Sequence, residues 1–151
     1  MGLKEQIPED LKNALRSKNT LELSVLRMLQ AALKNKEIDN KKEELTDEVV
    51  ISVVGSEIKK RRDAVREFEK VNRPDAAEQE KAEIEILMKY MPQQMSEDEI
   101  RAAVKSAIDQ AQAQSMKDIG KVMKVLMPTV KGKADGQAVN KIVKEELEGG
   151  E

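Results

Sequence analysis

Apolar residues recur every three or four positions along most of this chain, and an α-helix places residues with that spacing on one face. The clearest run consists of Val50, Val54, Ile58, Val65 and Phe68. The only aromatic residues are Phe68 and Tyr90, whereas β-sheets favour aromatic and β-branched side chains. We therefore predict an all-α protein in which each helix buries one apolar stripe.

Prolines and capping residues set the expected helix ends in the first part of the chain. The predicted helices cover residues 3–17, 20–38, 46–71 and 74–91, with a charged loop at 39–45. Pro8 could mark the true start of the first helix, because proline is tolerated best in a first turn. Thr20 is the predicted N-cap of the second helix, because its hydroxyl can accept a hydrogen bond from a free backbone N–H group.

Two serine–acid pairs predict the starts of the fifth and sixth helices. In a capping box the serine side chain bonds the N–H group three residues on, and the acid there reaches back to the serine N–H group. The two pairs are Ser96 with Glu99 and Ser115 with Asp118. Pro128 should end the sixth helix, Asp135 should cap the seventh, and residues 148–151 should fray.

Pro92 is the expected boundary between two helical subdomains. The four helices before it form a predicted N-terminal array over residues 1–92. The three helices after it form a predicted C-terminal unit over residues 93–151. With 151 residues, the chain is long enough for one larger domain or for two small ones.

The chain contains no histidine and no cysteine, which excludes several kinds of site. A Ser-His-Asp relay, a cysteine nucleophile, the usual zinc site, an iron–sulfur cluster and a disulfide all need those residues. We therefore expect no metal, no cofactor, no catalytic residue and no independent enzyme activity. The absent cysteines fit a reducing compartment, and no signal peptide or membrane-spanning stretch is apparent. A cytoplasmic location and no membrane partner are expected.

The largest charge asymmetry lies in residues 115–144, where seven lysines minus two aspartates give +5 in a chain of net charge −2. A lysine–glycine–lysine turn precedes a helix there, so backbone N–H and ammonium groups could approach a phosphate together. The predicted nucleic-acid-binding residues are Lys117, Lys121, Lys124, Lys131, Gly132, Lys133, Lys141 and Lys144. The alternative is that these lysines are ordinary solvated helix faces.

Other charged clusters leave more than one interpretation open. Residues 59–62 are Lys-Lys-Arg-Arg, and Arg66 follows one turn later. Their stems could cover the core while their heads pair with acids such as Glu57 or Glu69, or they could form a second phosphate contact. A solvated face, rather than a carboxylate metal site, is expected for Glu78, Glu80, Glu83 and Glu85. Gly55 lies inside a helix, where a close helix crossing would offset its cost.

Several segments resemble the YqeY-like proteins. In the N-terminal part they are LSVLRML at 23–29, AALK at 31–34, SEIKKR at 56–61, EIEIL at 83–87 and YMP at 90–92. In the C-terminal part they are IG at 119–120, Met127, KGKA at 131–134 and VN at 139–140. This second set is also similar to the tail domain of the B subunit of the aspartyl/glutamyl-tRNA amidotransferase (GatB). The chain departs from that tail at Asp135 and Gly136, where Asn-Pro is common.

The resemblance implies two α-helical subdomains, the second shared with a tail domain that helps to hold tRNA. It also implies an inherited association with carbon–nitrogen ligases that use glutamine as amide donor. The expected function is therefore an accessory protein that binds tRNA or another RNA through phosphate contacts. An amidotransferase or an aminoacyl-tRNA synthetase is the implied protein partner. The alternatives are a component of the amidation reaction and a protein-interaction adaptor.

Overall fold

The computed structural model describes residues 2–39 and 44–149, and within these ranges it contains seven α-helices and no strand. The helices are α1 Leu3–Arg16, α2 Thr20–Asp39, α3 Asp47–Lys70, α4 Pro74–Met88, α5 Glu97–Ala111, α6 Ile119–Val130 and α7 Gly136–Gly149. A short 3-10 turn, Met116–Asp118, precedes α6. The predicted all-α fold is confirmed. Most of the predicted loop at 39–45 and the last two residues of the predicted frayed end lie outside the described residues.

The chain divides into two compact units, Met1–Met91 and Pro92–Glu151, which we call the N-terminal and C-terminal units. In the N-terminal unit, α3 packs extensively on α4, and α1 packs on α2. Its core includes Ile7, Val25, Leu26, Leu29, Val50, Val54, Ile58 and Leu87. Of the predicted stripe of α3, Val50, Val54 and Ile58 lie in this core, Val65 is buried outside it, and Phe68 is only half-buried.

The C-terminal unit has its own core, in which α5 packs on both α6 and α7. Its buried residues include Ile100, Val104, Val122, Leu126, Val139, Ile142, Val143 and Leu147. These residues recur at three- and four-residue intervals in each helix, so each helix buries one stripe and exposes the opposite face. All the lysines of the 115–144 segment lie outside this core and are exposed.

Pro8 and Pro128 lie inside helices and do not mark helix ends. The helix α1 begins at Leu3 and contains Pro8, because the buried side chain of Ile7 and a hydrogen bond from Leu3 N–H to Asp47 Oδ1 (3.0 Å) fix the turn before it. The helix α6 continues past Pro128 to Val130. In both places the missing proline N–H removes one helical hydrogen bond, and the packing of neighbouring residues outweighs that loss.

The capping predictions have mixed outcomes. The capping box of Ser96 and Glu99 is confirmed, with both of its hydrogen bonds formed. The cap of α2 is Asn19, not Thr20, since Asn19 Oδ1 accepts a hydrogen bond from the N–H group of Glu22 (3.1 Å). Ser115 Oγ instead accepts from Lys117 N–H (3.3 Å) and caps the 3-10 turn, so the second predicted capping box is wrong.

A buried tyrosine links the two ends of the N-terminal unit. Tyr90 follows α4, is 2% exposed, and donates a hydrogen bond from its hydroxyl group to Asp10 Oδ2 of α1 (2.7 Å). Burial raises the pKa of Tyr90, and the carboxylate of Asp10 raises it further. Tyr90 therefore remains a neutral donor in the folded protein. It is also the only tyrosine in a chain without tryptophan, so its spectrum reports on the N-terminal unit.

We predict that the phenolate absorbance of Tyr90 stays absent in the folded protein at about pH 10, where a free tyrosine is half ionised. The unfolded chain loses this proton while the folded chain keeps it, so the free energy of unfolding should fall as the pH rises above about 10. An alkaline titration followed by absorbance and far-ultraviolet circular dichroism checks this. Asp10→Asn should lower the pKa, and reversible ionisation of the wild-type phenol near pH 10 with unchanged helicity would contradict the prediction.

Substitution of Gly55 tests whether the glycine in α3 serves a close helix crossing. A Cβ atom at this position would have Met91 Cε as its nearest described neighbour, at 3.7 Å, which is an ordinary contact. The expected close crossing is therefore wrong. Gly55→Ala should raise the free energy of unfolding by about 0.5–1 kcal/mol, because alanine loses less backbone entropy in a helix.

Urea denaturation followed by Tyr90 fluorescence measures this change. The matched control is Ala31→Gly on the exposed face of α2, which should lower the free energy of unfolding by a similar amount. A loss of stability in Gly55→Ala would restore the close-crossing explanation.

Candidate nucleic-acid interface

Four of the predicted lysines follow one exposed side of α6. The helix buries Val122, Leu126 and Val130, and successive residues turn by about 100°, so Lys121 and Lys124 lie on the opposite side. Two more exposed lysines extend this side at either end, one in the 3-10 turn and one directly after the helix. We call these residues the α6 basic face: Lys117, Lys121, Lys124 and Lys131. The face is about 20 Å long at the helical rise per residue.

Most of the α6 basic face is not neutralised by nearby acids. Lys121 Nζ lies 3.9 Å from Asp118 Oδ1, which is a long and exposed ion pair. Among the residues that the structure describes, no carboxylate lies within 4.0 Å of the ammonium groups of Lys117, Lys124 and Lys131. Three ammonium groups are therefore available to an external anion.

The turn after α6 is held in place by the segment that precedes α5. Gln94 Nε2 donates to the carbonyl oxygens of Pro92 (2.7 Å) and Gly132 (3.1 Å), and Met95 N–H donates to the carbonyl oxygen of Lys133 (2.8 Å). Gly132 has φ 75°, a left-handed conformation that side chains disfavour. This backbone conformation accounts for the glycine at position 132 without any contact to a phosphate. Sequence reasoning missed Gln94, because nothing local marks its long-range partner.

Of the three remaining lysines, Lys141 and Lys144 lie on a different helix, α7. Lys141 lines a groove between α5 and α7, together with Glu97, Glu145 and apolar side chains, so its neighbours include acids. Lys144 is exposed one turn later on α7. The structure therefore brings four predicted residues together on α6, adds Lys133 in the adjoining turn, and places Lys141 towards α5.

Arg101 of α5 is occupied by three glutamates and is not available for phosphate. Its guanidinium group contacts Glu146 Oε1 (2.7 Å), Glu145 Oε2 (3.0 Å) and Glu97 Oε1 (3.3 Å). Hydrogen bonds to Glu146 and Glu145 raise the pKa of Arg101 further above its usual value. Three glutamates of this unit therefore surround Arg101, and two of them also lie beside Lys141, while Asp118 is the acid that pairs with the α6 basic face among the described residues.

The second basic run, residues 59–62, contains a buried arginine. Arg61 is 6% exposed, and its Nη1 donates to the carbonyl oxygen of Glu57 (3.1 Å). Ion pairs join it to Glu57 Oε2 (3.4 Å) and, from α4, to Glu83 Oε1 (3.6 Å). This burial excludes a phosphate contact by Arg61. Its pairing with Glu57 agrees with the interpretation in which the basic groups of this run pair with nearby acids.

Glu83 is also buried, so a solvated face is the wrong prediction for this glutamate. It lies on the inner side of α4 with Ala77 and Leu87. Its neighbour Glu80 is half-buried, and burial followed by the charge of Glu83 raises the pKa of Glu80. Among residues 2–39 and 44–149, no group of three or more histidine, cysteine or acidic side chains is arranged to hold a metal ion.

Comparison with known proteins identifies the family of this chain. Residues 4–147 match the model of the Yqey-like protein family. The chain belongs to the YqeY-like family. Three similar proteins are named altered inheritance of mitochondria protein 41, mitochondrial. The protein of Pyrenophora tritici-repentis is 33% identical over 143 residues, which are 93% of this chain and 78% of that protein.

The other two relatives match smaller parts of this YqeY-like chain. The Lachancea thermotolerans protein is 36% identical over 68% of this chain and 56% of its own length. The Kluyveromyces lactis protein is 38% identical over 56% of this chain and 45% of its own length. The predicted cytoplasmic location is wrong, because all three relatives are named mitochondrial. The absence of cysteine excludes disulfides, but it does not identify the compartment in which a protein is located. No helix in the described residues is long and apolar enough to cross a membrane.

Substitution of two glutamates in α4 tests the buried arginine pair. Glu83→Gln should lower the free energy of unfolding by roughly 1–3 kcal/mol, because it removes a charged partner from buried Arg61. Glu80→Gln is the matched control and should cause no loss, since burial already disfavours the ionised form of Glu80. Urea denaturation at neutral pH, followed by Tyr90 fluorescence, measures both. Equal losses in the two variants would remove the special role of Glu83.

Proposed function

We propose that this YqeY-like protein is an accessory protein that binds structured RNA, with tRNA as the first candidate, through the α6 basic face. The observation that carries the proposal is the row of exposed lysines in which three of four ammonium groups lack a described carboxylate partner. RNA is a polyanion, and each phosphate neutralised by a lysine releases condensed counterions into solution. A row about 20 Å long can meet several phosphates of a folded RNA at once.

The residue types on this face favour phosphate recognition over base recognition. A lysine ammonium group is a compact point charge, whereas arginine offers the planar fork that reads base edges and paired oxygens. The aromatic residues Phe68 and Tyr90 both belong to the N-terminal unit, so the C-terminal unit has no ring on which a base could stack. The expected binding is therefore governed by the shape and phosphate spacing of the RNA, with little dependence on sequence.

The resemblance of the C-terminal unit to the GatB tail supports tRNA as the first RNA to test. It also makes a tRNA-dependent amidotransferase the first protein partner to test, with an aminoacyl-tRNA synthetase as the second. In this proposal the chain contributes RNA contacts and the partner contributes the chemistry. The groove beside Lys141 and the occupied Arg101 do not take part in RNA binding.

Filter binding of tRNA over a series of salt concentrations tests the proposal. The logarithm of the association constant should fall linearly with the logarithm of salt concentration. The triple variant K117Q/K124Q/K131Q should bind more weakly, with a slope that is shallower by about 2–3, since each lost phosphate contact removes about 0.7–0.9. Circular dichroism should show unchanged helicity, because these side chains are exposed.

The matched control is K34Q/K36Q/K59Q, which removes three exposed lysines from the N-terminal unit. This control should leave both affinity and slope unchanged. Equal effects of the two variants would show nonspecific attraction, and absence of tRNA binding at low salt would refute the proposal. In that case, a partner protein recovered after nuclease treatment would favour the adaptor alternative. A change in the amidation rate without tRNA binding by the chain would favour the enzyme-component alternative.

A further inference from the structure

Arg61 has more hydrogen-bond donors than its surroundings satisfy. Its Nη1 donates to Glu57, but its Nε atom is buried and has no hydrogen-bond acceptor among the described residues. The Oε1 atom of Glu83 lies 3.6 Å from this Nε, which is an ion-pair distance that is long for a hydrogen bond. The Nη2 atom donates to the sulfur of Met28 at 3.7 Å. A thioether is a weak acceptor, so Nη2, on the side of α2, has a weak partner, while the donor without an acceptor, Nε, faces Glu83.

Met28 is open to solvent although its sulfur contacts a buried arginine. It is 51% exposed. Met127 of α6, at 43%, is the other methionine among the exposed large hydrophobic residues of the described chain. Both side chains are therefore open to a small oxidant in solution. The two residues differ in one respect, because Met28 has a guanidinium neighbour and no arginine contact is present at Met127 within the described part of the chain.

We propose that Met28 is an oxidation site for hydroperoxides and that Arg61 holds the resulting sulfoxide. A lone pair of the Met28 sulfur attacks one oxygen of hydrogen peroxide, and the O–O bond breaks. The departing hydroxide takes the proton of the transferred oxygen and leaves as water. Sulfur is oxidised by two electrons to the sulfoxide, and the peroxide is reduced by two electrons to water.

The sulfoxide oxygen gives Arg61 Nη2 a stronger acceptor than the thioether sulfur that it now contacts. It projects from the sulfur that already contacts Arg61 Nη2, and a hydrogen bond from a charged donor is stronger than one between neutral groups. Oxidation of a methionine usually disrupts packing, because it makes an apolar side chain polar. At Met28 the new oxygen meets a buried guanidinium group on one side and solvent on the other. The oxidised protein should therefore be more stable than the reduced protein.

The test uses the whole chain, hydrogen peroxide and the matched methionine Met127. In Met127→Leu, peptide mass spectrometry should find Met28 oxidised before the half-buried methionines. The melting temperature of the N-terminal unit, followed by Tyr90 fluorescence, should then rise by about 4 °C or more. In Met28→Leu, oxidation of Met127 should leave that melting temperature unchanged. A fall or no change on oxidation of Met28, or slower oxidation than at the half-buried methionines, would overturn the proposal.

A pair of variants tests the acceptor without any oxidant. Glutamine has nearly the length of methionine and carries an amide oxygen, so Met28→Gln imitates the sulfoxide, while Met28→Leu removes the acceptor. The glutamine variant should melt higher than the leucine variant by about 4 °C or more. Met127→Gln and Met127→Leu should show no such advantage for glutamine. The same difference at both positions, or none at Met28, would refute an acceptor role for this site.

Discussion

A helix can bury only one side, and this constraint decides where the charges of this chain lie. Charged residues make up 37% of the sequence and hydrophobic residues 39%, so nearly every helix must carry a charged outer side. In the N-terminal unit several basic groups of α3 and α4 pair with acids, either one turn away on the same helix or across these two helices. In the C-terminal unit three glutamates of α5 and α7 surround Arg101, and the exposed side of α6 carries lysines. The candidate interface is a consequence of this unequal distribution.

Two buried polar contacts connect parts of the N-terminal unit that are distant in sequence. Arg61 pairs with Glu83 across α3 and α4, and Tyr90 donates to Asp10 of α1. Apolar stripes alone tolerate several ways of sliding one helix along another, because hydrophobic contact has no direction. A buried charge or hydroxyl group has few acceptable positions, because leaving it unpaired is costly. These contacts favour one alignment of the helices, and the incompletely satisfied Arg61 is the point where that alignment leaves a donor unused.

The sequence predicted the helices and their buried sides well, because both follow from a period of three to four residues. The same period also indicated that Arg61 is buried, although its charge favoured an exposed position. Position 61 fills the interval between Ile58 and Val65 in the apolar stripe of α3. Glu83 likewise lies four residues before the buried Leu87. The predicted starts at residues 3 and 20 are confirmed, but the alternative start at Pro8 and the N-cap at Thr20 are wrong, because Ile7, Asp47 and Asn19 act through contacts that local rules do not include.

The helical period predicts both the exposure of the seven lysines and the stripe of Lys117, Lys121 and Lys124 along α6. It could not predict that Lys141 lies beside acids of α5 and α7, because this depends on how those helices pack. The placement on α6 is costly by itself, since lysines spaced three and four apart repel each other. Lys117 and Lys121 also stand at the start of a helix, where the positive end of the helix dipole disfavours cations. The carboxylate of Asp118, with Oδ1 3.9 Å from Lys121 Nζ, offsets part of this repulsion. The helix dipole favours a cation at the opposite end, where Lys131 lies. A bound polyanion would attract these lysines and so offset the repulsion among them, which is the physical argument for a phosphate-bearing partner.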